Sequence, residues 1–206
     1  MGNATACARV IIEELMSRGV RDVVLAPGAR NAPLAYECFE ADRIGLLRLH
    51  VRVDERTAGF LGLGLAKGHG APVAVLTTSG TASANLHPAV LEAWHAHVPL
   101  IVITASRPRS VINVGANQST DQDQLFGRHV RGYAGLSDEV PDHRTWRFET
   151  ARIMTAATGS RTRMPGPAQL NVEFSEPLIP AEFAWPPPAP GLVITSSNTA
   201  AEPMVL

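Results

Sequence analysis

An α/β three-layer sandwich, a mostly parallel sheet with helices on both faces, is the fold this sequence predicts. Three observations carry it. Strand-length apolar runs alternate with helix-length stretches along most of the chain, with turn residues between them. The composition is globular, at 45% hydrophobic and 18% charged. A length of 206 residues suits one domain, or one domain with a tail.

Each element has its own signal. Ala4 to Arg18 carries Ala8, Ile11, Ile12 and Leu15 at helical spacing, and Gly19 closes it. Asp22 to Ala26 reads as a short buried strand, Pro27 to Asn31 as a turn, and Ala32 to Ala41 as a helix. Leu47 to Val51 reads as a second buried strand. Asp54 opens a Gly- and Ala-rich helix that runs to about Lys67 and ends at Gly68 to Gly70. Pro72 to Thr77 is a third strand. Thr78 to Thr81 is a turn that caps a long helix reaching His97, with Thr78 or Ser79 as N-cap. Pro99 to Thr104 is the fourth strand. A short helix is expected near Gln122 to Phe126, a fifth strand over Val130 to Leu136, a helix over Pro141 to Thr158, and a last strand over Pro167 to Glu173. From Pro177 the character changes to a Pro-rich segment with Pro180, Pro186, Pro187, Pro188 and Pro190. The expected division is a domain over residues 1–180 and a linker or tail over 181–206 that points towards a missing middle domain.

Composition excludes several classes. A net charge of −1 without a basic cluster argues against nucleic acid as a partner. No apolar run approaches the length of a membrane span, and the N-terminus lacks a basic-then-apolar leader. Two cysteines, Cys7 and Cys38, have neither metal nor redox spacing and suit a reducing cytoplasm. Gly62, Gly64 and Gly68 do not make a dinucleotide fingerprint, because the spacing fails and the glycines lie within a helix. Together with Gly59 they suggest close packing against the sheet or a second subunit. His95 and His97 are two apart and do not share a helix face.

The carboxyl ends of the strands are where such a sheet places its ligands. Four loops fall there: Pro27 to Asn31, Val53 to Glu55, Thr77 to Thr81, and Ala105 to Pro108. Glu55 stands after a strand and at the start of a helix. Its bland reading is a charge that complements the helix dipole. Its functional reading is a carboxylate in an apolar setting that grips a protonated ring nitrogen. Arg30 and Arg107 sit in two of the four loops and offer planar forks for carboxylates, the alternative being surface ion pairs.

Five stretches, in order, resemble one family: Ala26-Pro27-Gly28-Ala29-Arg30-Asn31-Ala32-Pro33-Leu34, Asp54-Glu55-Arg56-Thr57-Ala58-Gly59-Phe60, Thr77-Thr78-Ser79-Gly80-Thr81-Ala82, Ala105-Ser106-Arg107-Pro108 and Gly115-Ala116-Asn117-Gln118-Ser119-Thr120-Asp121-Gln122. The family is the 2-succinyl-5-enolpyruvyl-6-hydroxy-3-cyclohexene-1-carboxylate synthases of menaquinone biosynthesis, and the likeness is to their N-terminal, thiamine-diphosphate-binding pyrimidine domain. It covers about residues 5 to 180.

The resemblance implies a transferase that decarboxylates 2-oxoglutarate and adds the remaining fragment to isochorismate. Glu55 would be the catalytic carboxylate that hydrogen-bonds the cofactor's pyrimidine ring, and Thr78, Ser79 and Gly80 would line its pocket. Arg30, Arg107, Asn117 and Gln118 would bind substrate. The cofactors implied are thiamine diphosphate and Mg2+, the metal ligands falling on a domain this chain lacks, since no Gly-Asp-Gly segment occurs. A homodimer or homotetramer is implied, with the site shared between subunits and the chain alone inactive. Two positions depart from the family. Ala29 stands where a Ser is usual, which removes a hydrogen bond to a charged group worth about 1.5–3 kcal/mol, and Ser106 replaces an Asn or Asp. The alternatives are another thiamine-diphosphate decarboxylase or synthase, and a noncatalytic acid-binding dimerisation domain.

Overall fold

The protein is described from a computed structural model over residues 2–179. The Pro-rich stretch expected over residues 181–206 lies outside the described residues. Six strands form one sheet: β1 (Asp22–Leu25), β2 (Arg48–Val51), β3 (Val73–Thr77), β4 (Leu100–Ser106), β5 (Tyr133–Ser137) and β6 (Ala168–Glu173). Their order is β2-β1-β3-β4-β6-β5, and every pair is parallel. Register aligns Val51, Leu25, Leu76, Ile103, Leu170 and Ala134 across the sheet.

The helices are α1 (Asn3–Ser17), α2 (Ala32–Arg43), α3 (Glu55–His69), α4 (Thr81–Ala84), α5 (His87–His95) and α6 (His143–Thr158). α1 packs on α2 and α6 over one face, where Leu25, Leu76, Ile101, Ile103, Leu170 and Val172 point. α3 and α5 pack over the other, against Val24, Val75, Leu100 and Val102. The alternation of inward faces along β1 and β3 is the period of two expected of strands covered on both sides.

Local chemistry sets the helix ends. The Asp54 carboxylate accepts from Thr57 N at 2.7 Å, and Gly70 ends α3 in the left-handed region at φ 63°. Asp142 accepts from Arg144 N and Thr145 N at the start of α6. Trp146, the largest fully buried side chain, donates its indole N–H to Ser137 O at 2.9 Å, satisfying the one polar atom it brings inside.

Four expectations are corrected. The helix expected from Thr81 to His97 is two helices, α4 and α5, with a break at Asn85 and Leu86. Pro88 has no N–H to give to the carbonyl four residues back, so a continuous helix cannot pass through it. No helix forms over Gln122–Phe126; turns lead into a 3₁₀ turn at Gly127–His129. Gln124 has a positive φ of 51°, and Gln122 is committed to tertiary hydrogen bonds. Finally β2 is not buried. It pairs only with β1 at the sheet edge, Arg48 and Val51 are exposed, and Leu49 and His50 are half-buried. The fifth strand begins at Tyr133, three residues later than expected.

Candidate functional site

Because all six strands are parallel, the loops after β1, β2, β3 and β4 open on one edge of the sheet. The chain leaves β1 towards β2 on one side and places β3 on the other, so β1 and β3 flank a switch point where a crevice forms. There the two loops touch. A Cβ placed on Gly28 would lie 2.5 Å from Thr78 Cβ and 2.7 Å from Thr78 Oγ1, so only glycine permits this approach. Asn31, fully buried, donates to Ala26 O at 2.8 Å and accepts from Gly28 N at 2.9 Å, which holds the β1 loop in shape.

Thr78, Ser79 and Gly80 are all buried. Gly80 has φ 81°, and a Cβ there would stand 3.0 Å from Gln118 Cγ. Gln118 docks on this loop. Its Nε2 donates to Ser79 O at 3.1 Å, and its own carbonyl accepts from Ser79 Oγ at 2.9 Å. Beneath, Gly80 N donates to Gln122 Oε1 at 2.9 Å. Two hydroxyls, Thr77 Oγ1 and Thr78 Oγ1, are buried without a hydrogen-bond partner among the described residues. Orphaned buried hydroxyls are uncommon and mark a place where a ligand or water completes the set.

Glu55 is the first residue of α3. It is half-buried, and no hydrogen bond or ion pair ties its carboxylate to a described residue. The expected apolar enclosure is incomplete within this chain, since Val51 and Val53 before it are themselves exposed, Val53 at 88%.

Arg30 is 6% exposed. Its Nη1 donates to Phe174 O at 2.8 Å and its Nη2 pairs with Glu176 Oε1 at 3.1 Å. Burial lowers its pKa, Glu176 opposes that, and the like charge of Arg107 adds to it, so the two guanidinium groups are near enough to feel each other. Arg107 is half-buried, and its Nε is buried without a partner. The structure therefore gathers Arg30 with Arg107, and Gln118 with Thr78, Ser79 and Gly80. Among the described residues no hydrogen bond or ion pair joins Glu55 to either group, and Asn117 is exposed beside Gln118.

Sequence reasoning missed a buried polar network under these loops. Thr104 donates to Asn171 Oδ1 at 2.8 Å, and Gln169 Nε2 donates to Gln122 O at 2.8 Å. Gln122 Nε2 reaches Ala105 O at 3.2 Å and Asn171 Oδ1 at 3.1 Å. Asp123 accepts from Tyr133, Arg109 and Asn171. Burial pulls the Asp123 carboxyl up, but these bonds together outweigh it and hold it below the usual carboxylate range. Burial also raises Glu173, at the rim of an adjoining polar cavity of about 230 Å³. The signal was present in β6, where Gln169, Asn171 and Glu173 alternate with Ala168, Leu170 and Val172. One side of that strand is polar although the sheet is covered.

Among the described residues no group of three or more His, Cys, Asp or Glu side chains is arranged to hold a metal ion. Among the described residues no helix is long and apolar enough to cross a membrane. Gly59 and Gly62, read from sequence as possible subunit contacts, approach Ala89 and Val75 of the same chain. Gly64 and Gly68 have open space beside them.

A parallel sheet with a switch point between β1 and β3, and a carboxylate opening a helix on the same edge, is the architecture of a ligand-binding α/β domain, and comparison with known proteins gives its class. The chain belongs to the thiamine pyrophosphate enzymes: residues 5–125 match the family described as thiamine pyrophosphate enzyme, N-terminal TPP binding domain. It is 53% identical over 187 residues to 2-succinyl-5-enolpyruvyl-6-hydroxy-3-cyclohexene-1-carboxylate synthase of Mycobacterium avium (strain 104), covering 87% of this chain and 34% of that protein. It is 52% identical, with the same coverage, to the synthase of that name from Mycobacterium tuberculosis (strain ATCC 25618 / H37Rv). The chain spans about a third of the length of the curated relatives it matches.

Proposed function

We propose that the chain is the pyrimidine-binding third of a 2-succinyl-5-enolpyruvyl-6-hydroxy-3-cyclohexene-1-carboxylate synthase, acting on 2-oxoglutarate and isochorismate. The observation that carries this reading is the Glu55 carboxylate, without a partner among the described residues, which opens α3 on the same sheet edge as the orphaned Thr77 and Thr78 hydroxyls and the close approach of Gly28 to Thr78.

These residues fit thiamine diphosphate. Glu55 is an acceptor for a ring nitrogen, Thr78, Ser79 and Gly80 supply a buried wall, and Gly28 lets the β1 loop close against Thr78 to shape that wall. When bound, the cofactor supplies the electron sink that decarboxylation of a 2-oxo acid requires. The chain's own part is to hold the ring, to keep an acceptor at its nitrogen, and to exclude water from one side. Arg30, Arg107, Asn117 and Gln118 orient the acidic substrate. Mg2+ is held by residues beyond this chain, in keeping with the missing Gly-Asp-Gly segment. The half-enclosed Glu55 suits a site completed by a second subunit, hence a homodimer or homotetramer. The domain ends near residue 180, before the Pro-rich stretch that links it to the rest. Buried, free Cys7 and Cys38 suit a cytoplasmic enzyme.

The test is Glu55→Gln in a full-length synthase carrying this chain. Loss of a positioned acid–base partner predicts a fall in kcat of about 10²–10⁴-fold, with circular dichroism unchanged. A kcat within a few-fold of the parent would sink the assignment. The 206-residue chain alone, given both substrates, thiamine diphosphate and Mg2+, should show no turnover.

A further inference from the structure

We propose that Glu176 is a built-in competitor for the anion site at Arg30 and Arg107, occupying the guanidinium in the unliganded domain and giving way to a ligand carboxylate. The inference rests on the reading of that site as an acid-binding one.

The ion pair is asymmetric. The Arg30 side chain is 7% exposed and that of Glu176 is 68% exposed, across an Nη2–Oε1 distance of 3.1 Å. A buried guanidinium without a partner is costly, so the unliganded domain must offer it one. Phe174 O takes Nη1 at 2.8 Å, and Glu176 takes Nη2. The cation is fixed by burial and by the β1 loop, whereas the acid lies out in solvent on the segment after β6. Of the two partners, the acid is the one able to leave.

Two further observations support exchange. A cavity of about 430 Å³ adjoins Glu176, lined by Asn3, Ala4, Asp138, Glu139, Ser175 and Pro177, and gives the displaced side chain room. The other nearby acid is already engaged: Asp138 accepts from Ser175 N at 2.9 Å and 3.1 Å through its two oxygens. Arg107 meanwhile keeps a buried Nε without a partner. Two cations against one displaceable carboxylate leave a place for an incoming acid. Glu176 then acts on selectivity: a ligand must offer a carboxylate that outbids an internal one.

The test is Glu176→Gln in a full-length synthase carrying this chain, with Arg30→Ala and the double variant beside it. A largely solvated ion pair changes an equilibrium by about two- to five-fold. The KM for isochorismate should therefore fall by about that factor in Glu176→Gln, with the KM for 2-oxoglutarate unmoved, and the gain should vanish in the Arg30→Ala background. Glu176 is exposed, so the variant folds. An isochorismate KM that rises makes Glu176 a positioning residue for Arg30 and overturns the proposal; an unchanged KM overturns it as well. If Arg30→Ala leaves the isochorismate KM untouched, it is the acid-site reading itself that has failed.

Discussion

Adding one methyl group at either of two glycines on α3 separates packing from propensity. At Gly62 an ideal Cβ would lie 2.3 Å from Val75 Cγ2 and 3.3 Å from Leu100 Cδ1; at Gly64 it would meet nothing within 4 Å. Carbon atoms rest at about 3.5–4.0 Å, so Gly62→Ala needs a displacement of about 1 Å or more. Val75 is fully buried and stiff at χ1, so the helix has to move rather than the side chain. Overpacking of this kind costs about 1–3 kcal/mol. Both substitutions gain the same helix propensity, about 0.8–1.0 kcal/mol, so the difference between them isolates the packing. Gly64→Ala should raise Tm by roughly 2–4 °C in a domain of this size. Gly62→Ala should lie below it by roughly 2–12 °C, from the same conversion. Thermal unfolding of the chain followed by circular dichroism reads both. Equal Tm values would refute the close approach of α3 to β3. Loss of stability in Gly64→Ala that depends on protein concentration would place a subunit contact at that glycine.

Three other outcomes are expected. Asp123→Asn removes a carboxylate held below its ordinary pKa by Tyr133, Arg109 and Asn171 against the upward pull of burial. The stability such a group contributes is present above the unfolded value of about 3.9 and is lost as pH falls through the lower folded value. Urea unfolding should separate parent and variant at pH 7 by about 1.5–3 kcal/mol and bring them together in strong acid; a constant gap would exclude the linkage. Burial raises the thiols of Cys7 and Cys38, so neither should react with a thiol reagent at pH 8 until the chain is unfolded, and rapid labelling of the native protein would contradict their placement. Gln122→Leu leaves Gly80 N and Ala105 O buried without their partners, at about 1–3 kcal/mol each; a denaturation midpoint equal to the parent's would mean that water replaces the amide.

The alternating order and the helices were legible because each rests on local signals. Asp54 opens a helix, Gly19 and Gly70 terminate, and the apolar runs have strand length. The break at Asn85 was legible too, in Pro88, but the apolar periodicity on either side of it suggested one helix. What local reading could not supply was strand order. Strand order explains why β2, in which Arg48 and His50 alternate with Leu49 and Val51, lies at the edge, whereas β1, with Val23, Val24 and Leu25 in a row, is paired on both sides. The candidate site divides the same way. Glu55, Arg30 and Arg107 stand out as charged residues at strand ends, whereas Gln122 acquires its role only when 42 residues of chain bring it back beneath Gly80.

The return of Gln122 beneath Gly80 helps to hold the site. The Thr78–Gly80 loop is gripped by Gln118 at Ser79 and by Gln122 at Gly80. Gln122 is in turn fixed to β4 through Ala105 O and to β6 through Asn171. The loop's position is thus set by the polar half of the sheet, not only by the strand that ends in it. Asn171, which bonds Thr104, Gln122 and Asp123, becomes a positioning residue for the loop. Buried polar networks of this kind are unforgiving, since each unmet partner carries its full desolvation cost. The same feature that specifies the loop therefore limits how far the covered polar face of β4 and β6 can vary while the pocket keeps its shape.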